Sequence, residues 1–270
     1  MRRPLLATTL LIATLPAIAQ RSFLGFDKNG YPGDELLPKL RQSFSWTGYW
    51  LNNPPGMNHN PWEGKRAAVR GAGLGFVLIF NGRLDSELKG RDAARIGRED
   101  AAAATAAAQR EGFPRGAIIF LDQEEGGALL PEQAAYIGAW ITAVAYSAYK
   151  AGVYCSGIPV PSGARMVSTA QDVGARFPAT RLWVWDDRCP PSPGCVADNP
   201  PDPAFNPAKT GFAHALIWQY AQSPGRPEDT QACQQTYAAD RGCYAPNLPQ
   251  SPQTWVDLNV SGSPDPSHGR

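Results

Sequence analysis

Eight short apolar runs, most of them closed by a polar residue, constrain this chain more than any other feature. They are Phe23 to Asp27, Phe44 to Trp50, Phe76 to Asn81, Ala117 to Asp122, Gly152 to Ser156, Leu182 to Asp186, Ala215 to Gln219 and Trp255 to Asn259. Ala117-Ile118-Ile119-Phe120-Leu121 is apolar throughout, as a strand must be when helices cover one face of a parallel sheet and a core fills the other. Between runs, Asp92 to Glu111 is rich in Ala and Arg and reads as a long helix stopped at Gly112-Phe113-Pro114. Pro131 opens another, with Ile137, Trp140, Ile141, Val144 and Ala148 at three- and four-residue steps before Gly152 stops it. Asp34 to Gln42, Glu63 to Val69 and Gly163 to Ala175 are less regular helical segments. Strand, helix, strand in succession implies right-handed parallel crossovers.

Eight runs fit an open doubly wound sheet or a closed barrel. Polar endings occur all along the series rather than at one switch point, which favours an α/β fold of the (β/α)8 TIM type. Pro190 to Pro207 and Ser223 to Ser251 show no helical period, so the helices after strands six and seven are expected to be degenerate. The barrel is expected to span 20–260. The Ser-, Pro- and Gly-rich stretch 261–270 is expected to be a disordered tail.

Arg2 and Arg3 precede an apolar run from Leu5 to Leu15 and then Ala17-Ile18-Ala19. This predicts a signal peptide over 1–19, of the general or twin-arginine kind, cleaved near Ala19, and a secreted or periplasmic product. The run is shorter than the roughly 20 residues a membrane-spanning helix needs, so no membrane insertion is expected. Losing the two arginines turns the formal charge of +1 into -1, with acids and bases interleaved, which leaves no electrostatic footprint for nucleic acid. Cys189 and Cys195 flank Pro-Pro-Ser-Pro-Gly, and Cys233 and Cys243 lie in one polar segment. In an exported chain these predict two local disulfides, with Cys155 a buried free thiol. No cysteine pair has C-x-x-C spacing and His59, His214 and His268 stand far from any cysteine, so neither a metal nor another cofactor is expected.

Asp122 and Glu124 stand two apart at the end of the fourth run. Period two puts both on one side of the strand, roughly 7 Å apart along it. Glycosidic hydrolysis needs one carboxylic acid to protonate the leaving oxygen and a second carboxylate to hold a water, a nucleophile or an oriented acetamido group. Two like charges at an apolar mouth raise each other's pKa, a route to keeping one of them protonated. Asp27 closes the first run, Asp186 and Asp187 the sixth, Gln219 and Tyr220 the seventh, and Asp257 with Asn259 the eighth. A barrel brings these ends to one face. Aromatics accompany them, and Tyr49, Tyr154, Trp185, Asp186, Gln219, Tyr220 and Asn259 are the expected substrate contacts, although some strand-end tryptophans are equally suited to core. Gly71-Ala72-Gly73-Leu74-Gly75 precedes a strand instead of opening a helix and is read as a turn rather than a phosphate loop. No G-x-S-x-G is present.

Gly25-Phe26-Asp27, Asp122-Gln123-Glu124, Gly152-Val153-Tyr154, Leu182-Trp183-Val184, Ile217-Trp218-Gln219-Tyr220 and Val256-Asp257-Leu258-Asn259 resemble glycoside hydrolase family 25 in content and order. The chain is more similar still to the secreted bacterial glycoside-hydrolase-like domain-of-unknown-function family 1906. The resemblance implies that Glu124 matches the general acid and that Asp27, Asp122 and Asp257 match the carboxylates around the sugar. It implies cleavage of the β-1,4 bond between N-acetylmuramic acid and N-acetylglucosamine. The sequence departs from the muramidases in Lys28-Asn29-Gly30-Tyr31-Pro32-Gly33 and in Ser45-Trp46-Thr47-Gly48-Tyr49-Trp50. The expected function is therefore a monomeric, secreted glycosidase acting on peptidoglycan or a chitin-like aminosugar polymer. The alternative is a non-catalytic glycan-binding protein on the same barrel.

Overall fold

The computed structural model describes residues 21–188, 200–222 and 255–270. In chain order the strands are β1 (Phe23–Asp27), β2 (Trp46–Trp50), β3 (Gly75–Asn81), β4 (Ile118–Asp122), β5 (Lys150–Ser156), β6 (Val160–Ser162), β7 (Arg165–Val167), β8 (Arg181–Trp185), β9 (Ala215–Ala221) and β10 (Asp257–Ser261). All eight apolar runs form strands of one closed barrel, ordered β1-β2-β3-β4-β5-β8-β9-β10 and back to β1. The helices are α1 (Leu37–Ser43), α2 (Arg66–Gly71), α3 (Asp85–Leu88), α4 (Ala93–Arg110), α5 (Pro131–Ala145) and α6 (Thr169–Arg176).

Seven barrel strands run parallel, whereas β10 is antiparallel to both β1 and β9. A parallel return needs a crossover, usually a helix, and an antiparallel one does not. The segment leaving β9 and the start of β10 lie at the same end of the barrel, which accounts for the missing helical period between them. After β8, a single 3-10 turn, Pro207–Lys209, stands among the described residues.

Reversal of β10 delivers residues 262–270 to the opposite end of the barrel. There they are ordered, contrary to the composition-based expectation. Ser267 N–H donates to Phe76 O (2.9 Å) and its carbonyl accepts from Ile118 N–H (2.9 Å). Its Oγ accepts from Leu78 N–H (3.0 Å), and Asp265 Oδ1 accepts from Phe76 N–H (2.8 Å). Composition registers the scarcity of apolar side chains in this stretch. It misses a strand end whose unpaired N–H and C=O groups a polar peptide can satisfy.

Two helix boundaries also move. α5 ends at Ala145, and Gly152 lies inside β5, where a Cβ would come within 2.6 Å of the Phe120 ring. α6 starts only at Thr169, capped by Ser168 Oγ, because β6 and β7 form a small hairpin that turns at Gly163. Inside the barrel, glycines face large rings: Trp46 lies over Gly25 as Phe120 lies over Gly152, the small-against-large filling that makes such an interior solid. The expected signal peptide and both expected disulfides, Cys189 with Cys195 and Cys233 with Cys243, lie outside the described residues. Cys155 is buried and free.

Candidate active site

The strand pleat decides which polar ends meet. Along β9, Gln219 points inward while Trp218 and Tyr220 turn outward to Phe205, Tyr220 stacking on it at 4.0 Å. In β10, Asp257 and Asn259 lie two apart, and register sets Asp257 beside Asp27 and Asn259 beside Gly25. The inward ends of β1, β4, β5, β9 and β10 line a cavity of about 170 Å³ through Asp27, Asp122, Glu124, Tyr154, Gln219 and Asp257. Gly48 admits this arrangement, since a Cβ there would sit 2.7 Å from Asp27 Cβ.

A hydrogen-bond chain organises one wall. Tyr154 Oη donates to Gln219 Oε1 at 2.8 Å, and Gln219 Nε2 donates to Asp27 Oδ1 at 3.1 Å and Asp257 Oδ2 at 3.3 Å. Trp183 Nε1 donates to Asn259 Oδ1 at 2.8 Å, and Asn259 Nδ2 donates to Asp27 Oδ1 at 2.7 Å. Each amide thus has its acceptor and donor ends fixed by different partners, and Asp27 is the acceptor on which both converge. Tyr154 shows how concentrated the acidity is. Burial, and then the charges of Glu124, Asp122, Asp27 and Asp257, raise its pKa well above the ordinary phenol value, so it remains a proton donor.

Asp27, Asp122 and Asp257 are buried at 7%, 4% and 9% exposure, whereas Glu124 is exposed. Glu124 follows the end of β4 and makes no hydrogen bond or ion pair among the described residues. Its neighbour Glu125 is bonded instead: its carboxylate accepts from Asp85 N–H (2.7 Å) and Gln133 Nε2 (2.6 Å), and its carbonyl from Thr169 Oγ1 (3.2 Å). The backbone carrying Glu124 is therefore tied to α3, α5 and α6. Lys28, just past β1, is lowered to a pKa of about 8 by burial, partly offset by Asp257.

Of the expected site residues, Glu124, Asp122, Asp27, Asp257, Tyr154, Gln219 and Asn259 come together. Tyr49, Trp185, Asp186 and Tyr220 do not line the cavity. Tyr49 faces outward, packs on Trp62, Phe76 and Phe113 and donates to Glu111 at 2.7 Å. Asp186 accepts from Arg188 at 2.8 Å on the rim. Alternation from Gln219 excludes Tyr220 on sequence grounds, and the inward neighbour of Tyr49 is Trp50, which does line the cavity with Trp183 and Ile79. Asn29 and Pro55 complete the lining from loops, where no periodic signal exists. Among the described residues no group of three or more His, Cys, Asp or Glu is arranged to hold a metal ion.

A model of the Rv2525c-like, glycoside hydrolase-like domain matches residues 47–192. The chain belongs to this family. Solved structures share its fold. An uncharacterized B. stearothermophilus protein is 19% identical, with 88% of this chain and 95% of that one covered, at a TM-score of 0.54. The Tat-secreted protein Rv2525c of Mycobacterium tuberculosis, in complex with L-tartrate, is 12% identical over 89% and 94% of the two chains, at 0.50. GHIP, a glycosyl hydrolase 25 of Streptococcus pneumoniae, is 12% identical over 88% and 86%, at 0.53. At such identities the likeness is one of fold. No curated protein matches the chain. Among the described residues no helix is long and apolar enough to cross a membrane.

Proposed function

We propose that this Rv2525c-like protein is an exported glycosidase that hydrolyses β-1,4 bonds of peptidoglycan or a related aminosugar polymer, with Glu124 as general acid. The observation that carries the reading is the asymmetry of the four carboxylates. Three are buried in one cavity beside a network of amides, and the fourth is exposed at its edge without a protein partner. In this division of labour, Glu124 protonates the departing glycosidic oxygen. Asp122, two residues earlier, faces the opposite side of the reacting carbon or its acetamido group. Asp27 and Asp257, oriented by Gln219 and Asn259, accept hydroxyls of the ring and stabilise the positive charge that develops on it. Trp50 and Trp183 offer apolar faces for the sugar's C–H surface.

Export is supported by Arg2-Arg3 with the following apolar run and by the Tat secretion of the M. tuberculosis relative. Glycan cleavage is supported by the fold kinship with a glycosyl hydrolase 25.

Glu124→Gln tests the proposal, because it keeps size and hydrogen bonding but has no proton to give. Release of reducing ends from purified peptidoglycan or chitin is expected to fall by about 10²-fold or more, the low end of general acid catalysis, with glycan affinity retained. Wild-type protein that binds these glycans yet releases no reducing ends at any pH would make the barrel a binding protein instead.

A further inference from the structure

Glu124 belongs to two cavities at once. Besides the inner cavity of about 170 Å³, it and Pro55 border an outer cleft of about 530 Å³ between the loops after β2 and β3. The outer cleft has the volume of a ligand site, roughly 300–1,000 Å³, while the inner one is smaller.

The outer cleft is rigid. Its floor is pinned by Asn52 Nδ2 donating to Asn81 O (3.0 Å), by Asn81 N–H donating to Asn52 Oδ1 (2.7 Å) and by Asn81 Nδ2 donating to Asn53 O (3.0 Å). Arg83 in the far wall makes a forked pair with the buried Asp100 at 2.8 and 2.9 Å, and Tyr136 Oη donates to the same carboxylate at 2.9 Å. Glu125 joins this wall, through Asp85 N–H, to the segment that carries Glu124. Both walls are thus one preorganised unit.

Its free chemistry is specific. The side-chain amide of Asn53 and the Oδ1 of Asn81 make no hydrogen bond among the described residues, and Leu84 is 46% exposed beside them. Amides suit hydroxyl or acetamido groups, and an exposed leucine suits a ring face or an acetyl methyl. The arginine in the wall is neutralised by Asp100 and Glu87, while Glu87 and Glu124 line the cleft, so an anionic ligand would be repelled. We infer that the outer cleft is a second saccharide subsite, which takes a neutral pyranose continuing from the ring in the inner cavity and sets the joining oxygen at Glu124. The inference rests on the glycan reading above.

Backbone amide NMR of the Glu124→Gln protein, titrated with N-acetylglucosamine and with its β-1,4 pentamer, tests it. Both sugars should shift the Tyr154 and Gln219 amides, and the pentamer, whose neighbouring ring is tethered to the one in the inner cavity, should shift Asn53, Gly82 and Leu84 at concentrations where the monosaccharide does not. Leu84→Ser and Asn53→Ala, both at exposed positions, should weaken pentamer binding by about tenfold, or about 1.4 kcal/mol, and leave monosaccharide binding unchanged. A pentamer that perturbs only the inner residues, or binds the variants as tightly as the parent, overturns the second subsite and leaves the glycan reading standing. A protein silent to both sugars overturns the glycan reading and this inference with it.

Discussion

Ser267→Ala isolates the contribution of the docked tail. The residue is 0% exposed, and its hydroxyl oxygen accepts from the N–H of Leu78, also 0% exposed. Alanine keeps the two backbone bonds to Phe76 and Ile118, so the tail stays in place while the Leu78 N–H faces a methyl group. An orphaned buried donor costs about 1–3 kcal/mol. A domain of this size loses roughly 2–4 °C per kcal/mol, so the melting temperature should fall by about 2–12 °C. Urea unfolding should show a lower midpoint with an unchanged slope, and hydrogen exchange at Leu78 should accelerate. A midpoint equal to the wild type's, or full stability after deletion of residues 263–270, would refute the claim that the tail is part of the fold.

Three other predictions concern side chains around the site, and a fourth the cysteines. Glu125→Ala removes the one carboxylate oxygen that accepts from both Asp85 N–H and Gln133 Nε2, so thermal unfolding should show a loss of about 1 kcal/mol or more; an unchanged melting temperature would show that this carboxylate does not tie the segment to α3 and α5. Asn259→Leu strands the Trp183 indole and removes a donor from Asp27, and should cost at least about 2 kcal/mol; unchanged stability would show that the amide does not organise the wall. Lys28, lowered to about 8, loses its proton in the folded protein before the unfolded chain does, so its contribution to stability rises with pH between about 8 and 10.5. Lys28→Met should therefore be more stable than wild type near neutrality by a margin that shrinks as pH rises. Taking the difference cancels the opposing effect of buried tyrosines such as Tyr154, and a margin independent of pH would exclude a buried charge. Unreduced mass spectrometry of exported protein should find Cys189 linked to Cys195 and Cys233 to Cys243, each closure stabilising by roughly 2–3 kcal/mol; free thiols at all four would contradict this.

The barrel strands were legible because each interior position needs an apolar or small side chain and each mouth position a polar one, and both demands leave marks in the sequence. Asp27 and Asp122 stood out as polar residues at the ends of runs that had no other reason to stop, and Asp257 as a polar residue two before Asn259 within an otherwise apolar run. Tyr49 and Tyr220 misled because proximity to a strand end says nothing of which side the pleat presents. The direction of β10 left no mark, since five buried residues that alternate polar and apolar read the same either way. Ser267 and Glu125 were invisible for a different reason: their roles are hydrogen bonds to backbone atoms distant in sequence, and hydropathy carries no record of those.

The antiparallel last strand also decides how this barrel would yield to force. The seam that closes it is the five-pair ladder from Phe23↔Ser261 to Asp27↔Asp257. A pull between residues 21 and 270 enters at the end of that ladder remote from the mouth. It must first peel the tail from Phe76, Leu78 and Ile118 and then part β1 from β10 one pair at a time, like a zip, rather than shear all five together. The pair that opens last is Asp27 with Asp257, so the acidic cavity is the part of the seam farthest from the load.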